Sequence, residues 1–419
     1  MVVEKGTFRV TDDYSVCQEA DVILIDVQTP VDENHIPHYE SLREVSEQLG
    51  RCLQPGTLVI IESTVAPGAT QSLVQPILER ASRLRAGRDF CLAFSYERVM
   101  PGKLLEYLSD MPRVVGGVDE ESTRRAVALY RHIVRKEITP TDCLTAEMAK
   151  AVENAYRDVN IAFANQAALA CERMGVDVYE MRRLINARAD RHMHLPGAGV
   201  GGHCLPKDPW LLVYGVERYG NQESQSPEDS VGGLELIRLA RQINEGMPLH
   251  MAHLVEEALA EAGRPLAGAR VAVLGVAYLE DSDDTRNTPA VPLIRALLER
   301  GAEVIAHDPY VREREWQLAW DGGTPVPLVR ELGTALKDAD CAVVVTRHRQ
   351  YVELAESGRQ QVASGESQRS QANQEELKAS ALLWMKGLMR MPVLVDGRNV
   401  FEAEACRAAE MIYSGVGKG

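Results

Sequence analysis

Apolar runs of strand length alternate with amphipathic stretches along the first 140 residues of the chain. Three such runs lie in DVILIDVQTP at 21–30, PGTLVIIESTV at 55–65 and FCLAFSYERVMPG at 90–102. A short apolar run bounded by turn residues is typical of a buried parallel strand. Helical stretches such as SLREVSEQLGRCL separate the runs, so this region predicts a doubly wound α/β sheet.

Polar residues follow each of these three strands. Thr29, Thr64 and Glu97 stand at equivalent points, and Arg98 follows the last of them. Ligands bind such sheets beyond the carboxyl ends of the strands. Ordinary loop polarity would explain any one of the three, but their repetition favours a ligand site at this edge.

A long helix is predicted over residues 145–174, and Gly175 ends it. One face of this helix carries residues at three- and four-residue spacing: Lys150, Asn154, Arg157, Ile161 and Asn165. Lysine and asparagine side chains are costly in an apolar core. This face therefore either lines a polar pocket or is solvated.

A shorter helical stretch, VDVYEMRRLINARA, leads into a basic segment that contains Arg188, Arg191, His192 and His194. These groups suit a phosphorylated or otherwise anionic ligand. A His-x-His pair without a third ligand at metal spacing is a weak metal motif, and we expect no metal site.

Residues 196–210, PGAGVGGHCLPKDPW, form what we call the cysteine loop. Its glycines permit tight turns, and its prolines exclude a continuous helix around Cys204. A neighbouring cation such as Lys207 stabilises a thiolate, and Asp208 offers a proton acceptor. The alternative is a glycine-rich turn beside a buried structural cysteine.

The same loop also spells GxGxxG, at Gly197, Gly199 and Gly202. That fingerprint indicates dinucleotide binding only when it follows a strand and opens a helix. Here it lies between HMHLP and CLPKDP, so we reject the dinucleotide interpretation of this loop.

The pattern predicts three domains. An α/β domain at 1–142 is followed by a helical domain at 143–262, whose last helix is bent or restarted near Pro248, and by a second α/β domain at 263–419. Residues 221–233 read as a polar loop. The Gln- and Ser-rich residues 356–380 are expected to form an exposed, partly mobile insertion.

Composition narrows the function classes. The formal net charge of −15 argues against nucleic-acid binding, which needs a basic face. The eight cysteines form no CxxC pair, so neither a disulfide framework nor a zinc site is indicated. We find no apolar run of membrane length and no leader, and we expect a cytoplasmic protein without a membrane partner.

Taken in order, the motifs resemble the UDP-glucose/GDP-mannose dehydrogenase family over nearly the whole chain. They are STVAPG, ERVMPG, AEMAKAVENAYRDVNIAFAN, PGAGVGGHCLPKDPW, DDTRNTPA, HDPY and VDGRN. Within the family, RDVNIAFAN with PGAGVGGHC is most similar to the members that oxidise UDP-N-acetyl-D-mannosamine. The resemblance implies two Rossmann-like domains joined by a helical dimerisation domain, two NAD per sugar, a homodimer and a role in polysaccharide biosynthesis.

The resemblance also implies residue roles. Cys204 would be the nucleophile that forms a thiohemiacetal and then a thioester, with Lys150 and Asn154 stabilising negative charge on the C6 oxygen and Asp208 moving protons. Glu97 and Thr64 would place the hydrolytic water. Cofactor contacts fall on Thr29, Thr64, Lys207 and Arg286, and substrate contacts fall on Arg98, Arg188, Arg191, Gly201, Leu205, Tyr278 and Arg398.

Three departures from the family pattern bear on these expectations. No strand with a following GxGxxG precedes residue 21, so the first domain is expected to be N-terminally truncated and turnover weak. Leu279 stands where the family usually has a substrate-binding lysine, and Tyr96 stands where it commonly has proline. The rival interpretation is a truncated paralogue that binds UDP-sugar, or serves as a dimerising subunit, without redox chemistry.

Overall fold

A computed structural model of the chain shows two compact units with α/β architecture, which confirms the predicted fold class. The described residues are 8–99, 104–220, 233–357 and 381–419. Apart from their ends, the polar loop predicted at 221–233 and the insertion predicted at 356–380 lie outside these ranges.

Each unit is assembled from separate stretches of sequence. The first lies within Met1–Tyr156 and Lys207–Glu235, and the second within Arg157–Pro206 and Leu236–Gly419. The three-domain division of the sequence stays a prediction.

The first unit is built around a five-stranded sheet with the strand order β1-β2-β3-β4-β5. The strands are β1 Val22–Ile25, β2 Leu58–Ile61, β3 Cys91–Phe94, β4 Arg113–Gly117 and β5 Ile138–Asp142. All neighbours run parallel except β3 and β4. Strands β2 and β3 are buried along their whole length, as their apolar sequences LVII and CLAF predict.

Strand β1 departs from the prediction of a fully buried strand. Among the described residues it pairs only with β2, and the side chain of Leu24 is 49% exposed. Burial alternates along β1, which is the pattern of a strand with one covered face.

Helices cover both faces of this sheet. They are α1 Glu40–Cys52, a π-helical turn Thr70–Val74 that continues into α2 Gln75–Ser82, α3 Leu104–Asp110 and α4 Glu120–Tyr130. Helix α5, Cys143–Met174, begins directly after β5, and α7, Asp208–Tyr219, packs Leu211 into the same core. A 3-10 turn, Tyr14–Glu19, precedes β1.

The predicted long helix is confirmed as α5, and Gly175 follows it with a φ of +69°. The next helix is α6, Val178–Asn186, whose first turn is capped by the carboxylate of Asp177. Helix α8, Glu235–Glu261, runs through Pro248 without interruption, so the restart offered for this position is wrong, while the bend offered beside it stays a prediction.

The second unit contains a fully parallel six-stranded sheet in the order β11-β10-β9-β6-β7-β8. Its strands are β6 Arg270–Leu274, β7 Glu303–His307, β8 Leu328–Val329, β9 Cys341–Val344, β10 Val393–Asp396 and β11 Ile412–Gly415. Its further helices are α9 Ala290–Glu299, α10 Glu313–Ala319, α11 Leu332–Leu336, α12 Arg349–Ser357, α13 at 381–388 and α14 Ala403–Ala408. Helix α8 packs its buried face, including Met251 and Val255, into the core on one side of this sheet.

Candidate active site

A chain of polar contacts in the first unit joins the start of α7 to the carboxyl ends of β1 and β2. Lys207 lies at the start of α7, and its buried ammonium donates to Thr29 Oγ1 at 3.2 Å. The hydroxyl of Thr29 donates in turn to the carbonyl oxygen of Thr64, 2.6 Å away. The predicted meeting of Thr29 and Thr64 at one sheet edge is therefore observed, and Lys207 joins them.

Asp208 is fully buried at the first position of α7. Its carboxylate pairs with Lys207 at 3.2 Å and accepts a hydrogen bond of 2.5 Å from the side-chain amide of Asn154 on α5. A buried carboxylate held by a cation and an amide keeps a fixed orientation. The structure thus brings three of the predicted site residues into one cluster.

Lys150 lies one turn before Asn154 on α5 and is also buried. Its ammonium donates to the main-chain oxygen of Glu97 at 3.0 Å and lies 5.3 Å from the ring centroid of Tyr96. Tyr96 stands where the resemblance led us to expect proline, and its ring therefore packs against the ammonium of Lys150. The Glu97 carboxylate turns back to accept from the amide of Val99.

Arg98 binds a residue that the sequence analysis missed. Its guanidinium forms an ion pair with Glu153 of α5 at 2.9 Å, donates to Pro112 O at 2.7 Å and donates to the Tyr96 hydroxyl at 2.9 Å. Hydrogen bonding to Glu153 raises the pKa of Arg98 above its usual value, although burial opposes this effect. Glu153 lies between Lys150 and Asn154 on the same helix, and that position was the only signal in the sequence.

The cysteine loop lies in the second unit up to Pro206 and has no helix before Asp208, as its prolines predict. Its first glycine amide, that of Gly197, donates to the side chain of Asn165 on α5 at 2.9 Å. Asn165 is fully buried and donates to Asn244 of α8 at 2.9 Å. Asn165 therefore holds the loop against α5 and is not solvated, and the prediction that this face of α5 lines a polar pocket stays a prediction.

Tyr278 explains two of the loop glycines. A Cβ at Gly201 would lie 2.5 Å from Tyr278 Cβ, and a Cβ at Gly202 would lie 2.8 Å from its ring. Gly202 also has a φ of +92°, donates to Arg286 O at 2.8 Å and accepts from the Asn287 side chain at 2.9 Å. The glycines thus allow the loop to pack against Tyr278 and its neighbours.

Cys204 is exposed at the tip of this loop, and Leu205 is half-buried beside it. The structural-cysteine alternative requires a buried thiol and is wrong. Burial raises the pKa of the Tyr278 hydroxyl, and the carboxylate of Asp284 adds to the rise, while Arg286 opposes it. Arg286 forms an ion pair with Asp284 at 2.5 Å, and this bond raises the pKa of the guanidinium.

Arg398 follows β10 and contacts the cysteine loop. Its guanidinium donates to Val345 O at 2.8 Å and to Gly199 O at 3.3 Å. Loss of hydration lowers the pKa of this half-buried side chain. Arg398, Tyr278 and the loop glycines therefore form one contiguous surface in the second unit.

Arg188 and Arg191 are not part of that surface. Both lie on the exposed segment after α6, where each pairs with Asp190, at 3.0 Å and 2.7 Å respectively. Arg157, predicted on the polar face of α5, is also exposed.

A second set of residues missed in the sequence supports the segment that carries Tyr278. The buried carboxylate of Asp308 accepts from the amides of Val276 and Ala277 at 2.8 Å and 3.0 Å and from His348 Nε2 at 3.0 Å. The Nδ1 atom of His348 accepts from the amide of Asp281 at 3.0 Å. Asp308 belongs to the HDPY motif, so that motif was the available signal.

Comparison with known proteins gives three consecutive domain matches. Residues 1–134 match the NAD binding domain of the UDP-glucose/GDP-mannose dehydrogenase family, residues 144–245 its central domain, and residues 272–367 its UDP binding domain. Among curated proteins, a UDP-N-acetyl-D-mannosamine dehydrogenase of Pyrococcus horikoshii is 37% identical over 100% of this chain and 86% of its own length. A protein of the same description from Methanocaldococcus jannaschii is 32% identical over 91% of this chain and 81% of its own.

Solved structures show the same likeness. An NDP-N-acetyl-D-galactosaminuronic acid dehydrogenase of Methanosarcina mazei matches with a TM-score of 0.84 and 37% identity over 100% of this chain and 82% of that one. The Pyrococcus horikoshii enzyme matches with a TM-score of 0.81 and 35% identity, over 100% and 86%. In the described part of the chain, no helix has the length and apolar character needed to span a membrane.

Proposed function

Since this chain belongs to the UDP-glucose/GDP-mannose dehydrogenase family, we propose that it oxidises the C6 alcohol of UDP-N-acetyl-D-mannosamine to the carboxylate. The observation that carries this substrate is the full-chain likeness, at 37% identity, to a curated enzyme of that name. The exposed thiol of Cys204, the buried Lys150 and Asp208, and the half-buried Asn154 support the chemistry.

The second unit supplies the proposed contacts for the UDP-sugar. Tyr278 and Arg398 face the glycines of the cysteine loop, and the main chain at Gly201 and Leu205 lies beside them. A guanidinium and a phenol suit a diphosphate and a sugar ring. Arg98, in the first unit, is proposed as a further substrate contact, and Arg188 and Arg191 as contacts to the substrate bound by a partner subunit.

The donors in the first unit fit one end of NAD, the cofactor of the matched domain. Thr29, Thr64 and Lys207 present hydroxyl and ammonium groups at the carboxyl ends of β1 and β2, where parallel sheets bind dinucleotides. Arg286 is proposed as a further contact from the second unit. NAD supplies the oxidising power, because each of two NAD molecules takes up one hydride per sugar.

In the proposed reaction, the first oxidation converts the C6 alcohol to an aldehyde and releases one proton. The Cys204 sulfur then adds to the aldehyde carbon, and the oxygen takes up a proton to give a thiohemiacetal. The second oxidation converts this adduct to a thioester and releases a second proton. Water then adds to the carbonyl carbon, the carbon–sulfur bond breaks, and the products are the carboxylate, the thiol and a third proton.

The proposed roles of the other side chains are those that the family resemblance implies. Lys150 and Asn154 present an ammonium and an amide that stabilise negative charge on the C6 oxygen. Asp208 accepts and returns the protons, and Glu97 and Thr64 place the hydrolytic water.

The experiment is to follow NADH formation with UDP-N-acetylmannosamine, comparing the chain with Cys204→Ala. We expect two NADH per sugar from the parent and loss of the acid product in the variant. Cys406→Ala is the matched control, because it removes a buried thiol from the second unit. Equal acid formation by Cys204→Ala and the parent would refute the covalent mechanism.

A second substrate has support from the Methanosarcina mazei structure, whose described activity concerns an N-acetylgalactosamine-derived sugar. The same assay with UDP-N-acetylgalactosamine and UDP-glucose decides between them by kcat/KM. Saturable UDP-sugar binding without NADH formation would instead favour the non-redox paralogue.

We further propose that the protein is a homodimer that works in the cytoplasm, where its eight thiols stay reduced. Two helices that contact each other in the second unit, α5 and α8, expose apolar side chains. They include Phe163, Leu236 and Leu239, and burial of such a surface against a second copy is favourable.

A further inference from the structure

Glu147 is a buried carboxylate on α5 that the proposed chemistry does not use. Its side chain is 1% exposed, and it lies one turn before Lys150 on the same helix. The two carboxylate oxygens accept separate main-chain amides, Oε2 from Gly68 at 2.6 Å and Oε1 from Thr70 at 2.9 Å. A buried acid that accepts two amides has its orientation fully determined.

The two amides belong to the turn that carries Thr64. We call residues 64–70, which connect β2 to the following helix, the threonine turn. Gly68 adopts a φ of +94°, and Thr70 is the first residue of the helical turn Thr70–Val74. The first amides of a helix have no hydrogen-bond partner within that helix, so they need an acceptor from elsewhere. A carboxylate at a helix N-terminus is favoured by the helix dipole. Glu147 therefore satisfies donors that the threonine turn cannot satisfy itself.

Within the described residues, other hydrogen bonds hold the same turn from segments outside α5, while Ala66 and Ala69 share an apolar cluster with Ala146 of α5. The Tyr39 hydroxyl accepts from the amide of Ala66 at 2.8 Å, and Thr29 donates to Thr64 O. A Cβ at Gly215 of α7 would lie 2.6 Å from the Pro67 ring, so α7 packs closely against the turn.

Burial and the titratable groups around Glu147 oppose its charge, whereas its hydrogen bonds favour it. Burial raises the pKa of this carboxyl to about 7, and the negative charge of Asp142 adds to the rise, although hydrogen bonds from Thr70 and Gly68 oppose it. The other titratable groups that interact with it are Cys143 on α5, Tyr39 before α1 and Tyr219 on α7. None of these three is a cation.

We propose that Glu147 is a positioning residue whose ionised carboxylate fastens the threonine turn to α5, and so fixes Thr64 relative to Lys150. The functional meaning of that distance rests on the proposed dehydrogenase activity. The fastening itself does not, and it is measurable without turnover.

Hydrogen exchange of the threonine turn tests the fastening. After correction for intrinsic rates, protection of peptides covering 64–72 in the parent falls by about tenfold between pH 8 and pH 6, because a group titrating near 7 loses most of its charge over that interval. In Glu147→Gln, protection is low at pH 8 and varies little with pH. Peptides from β2 keep their protection in both proteins.

Glu172→Gln is the matched control, since Glu172 is also a carboxylate of α5 that accepts a main-chain amide, that of Gly417 at 2.6 Å. Its effect should be confined to the C-terminal peptide and to α8 around His250, whose ring also contacts Glu172 at 2.9 Å. Unchanged protection of 64–72 in Glu147→Gln would overturn the proposal. A flat pH profile in the parent would do so as well, and that measurement needs no variant to fold.

A kinetic measurement separates this proposal from the proposed function. With UDP-sugar and NAD, the parent's kcat should show an acid limb near pH 7 that is absent in Glu147→Gln, while KM for the sugar changes little. Loss of protection without any turnover in the parent would uphold the fastening and overturn the dehydrogenase.

Discussion

Gly202→Ala offers a sharp test of how the cysteine loop is held. The backbone at Gly202 has a φ of +92°, and the added Cβ would lie 2.8 Å from Cε2 and 2.9 Å from Cζ of Tyr278. An alanine in a left-handed conformation costs about 1–2 kcal/mol. Displacement of a packed ring adds about 1–3 kcal/mol, so the variant should lose about 2–5 kcal/mol of stability in the second unit.

Gly175→Ala separates the two contributions. Gly175 has a φ of +69° in the same unit, but a Cβ added there would meet no neighbouring heavy atom of the described residues within 4 Å. This control should lose only the backbone cost of about 1–2 kcal/mol. Urea unfolding followed by tryptophan fluorescence reports mainly the second unit, because Trp316, Trp320 and Trp384 belong to it and only Trp210 belongs to the first.

Ligand affinity should separate the two variants further. If Tyr278 shapes the UDP-sugar surface, Gly202→Ala should weaken UDP binding by more than about tenfold in calorimetry, which corresponds to about 1.4 kcal/mol. Gly175→Ala should leave binding unchanged. Adding Tyr278→Val to Gly202→Ala should recover part of the lost stability, and strictly additive losses would refute the packing argument.

Two further predictions concern the second unit. His307 is buried between the Tyr351 hydroxyl at 2.7 Å and Arg330 O at 3.2 Å, and burial lowers its pKa to about 4. Between pH 6.5 and pH 4 the imidazole of His307 is protonated in the unfolded chain but neutral in the folded one. The free energy of unfolding should therefore fall by about 3 kcal/mol as the pH is lowered from 6.5 to 4. His307→Gln should reduce this fall in urea titrations. Phe163→Asp on α5 should convert the proposed dimer to a monomer in light scattering. Leu318→Asp changes an exposed leucine of α10 and should leave the dimer intact. A monomeric parent would contradict the dimer.

The parts of the site that were predicted from the sequence depend on local patterns. The carboxyl ends of β1 and β2 followed from apolar runs, so Thr29 and Thr64 were placed correctly on one edge. The prolines around Cys204 correctly predicted a non-helical loop. The sequence did not decide between a bend and a restart at Pro248, and α8 does not restart there, because a long helix with a well-buried face is stabilised by its tertiary packing.

The residues that were missed act through distant partners. Glu147 and Glu153 look like solvated helix glutamates in the sequence, and their partners lie 79 and 55 residues away, at Gly68 and Arg98. His348 contacts Asp308 across 40 residues. A helical period shows which face a residue occupies, but it does not show which other segment covers that face.

The interleaving of the two units constrains the order in which the chain is completed during synthesis. Lys207 emerges 178 residues after Thr29, its hydrogen-bond partner. At elongation rates of about 5–20 residues per second, Lys207 is synthesised about 10–35 seconds after Thr29. A ribosome-bound chain therefore exposes the strands of the first unit well before α7 can close over their core, and chaperones that bind apolar surface would find it in that interval.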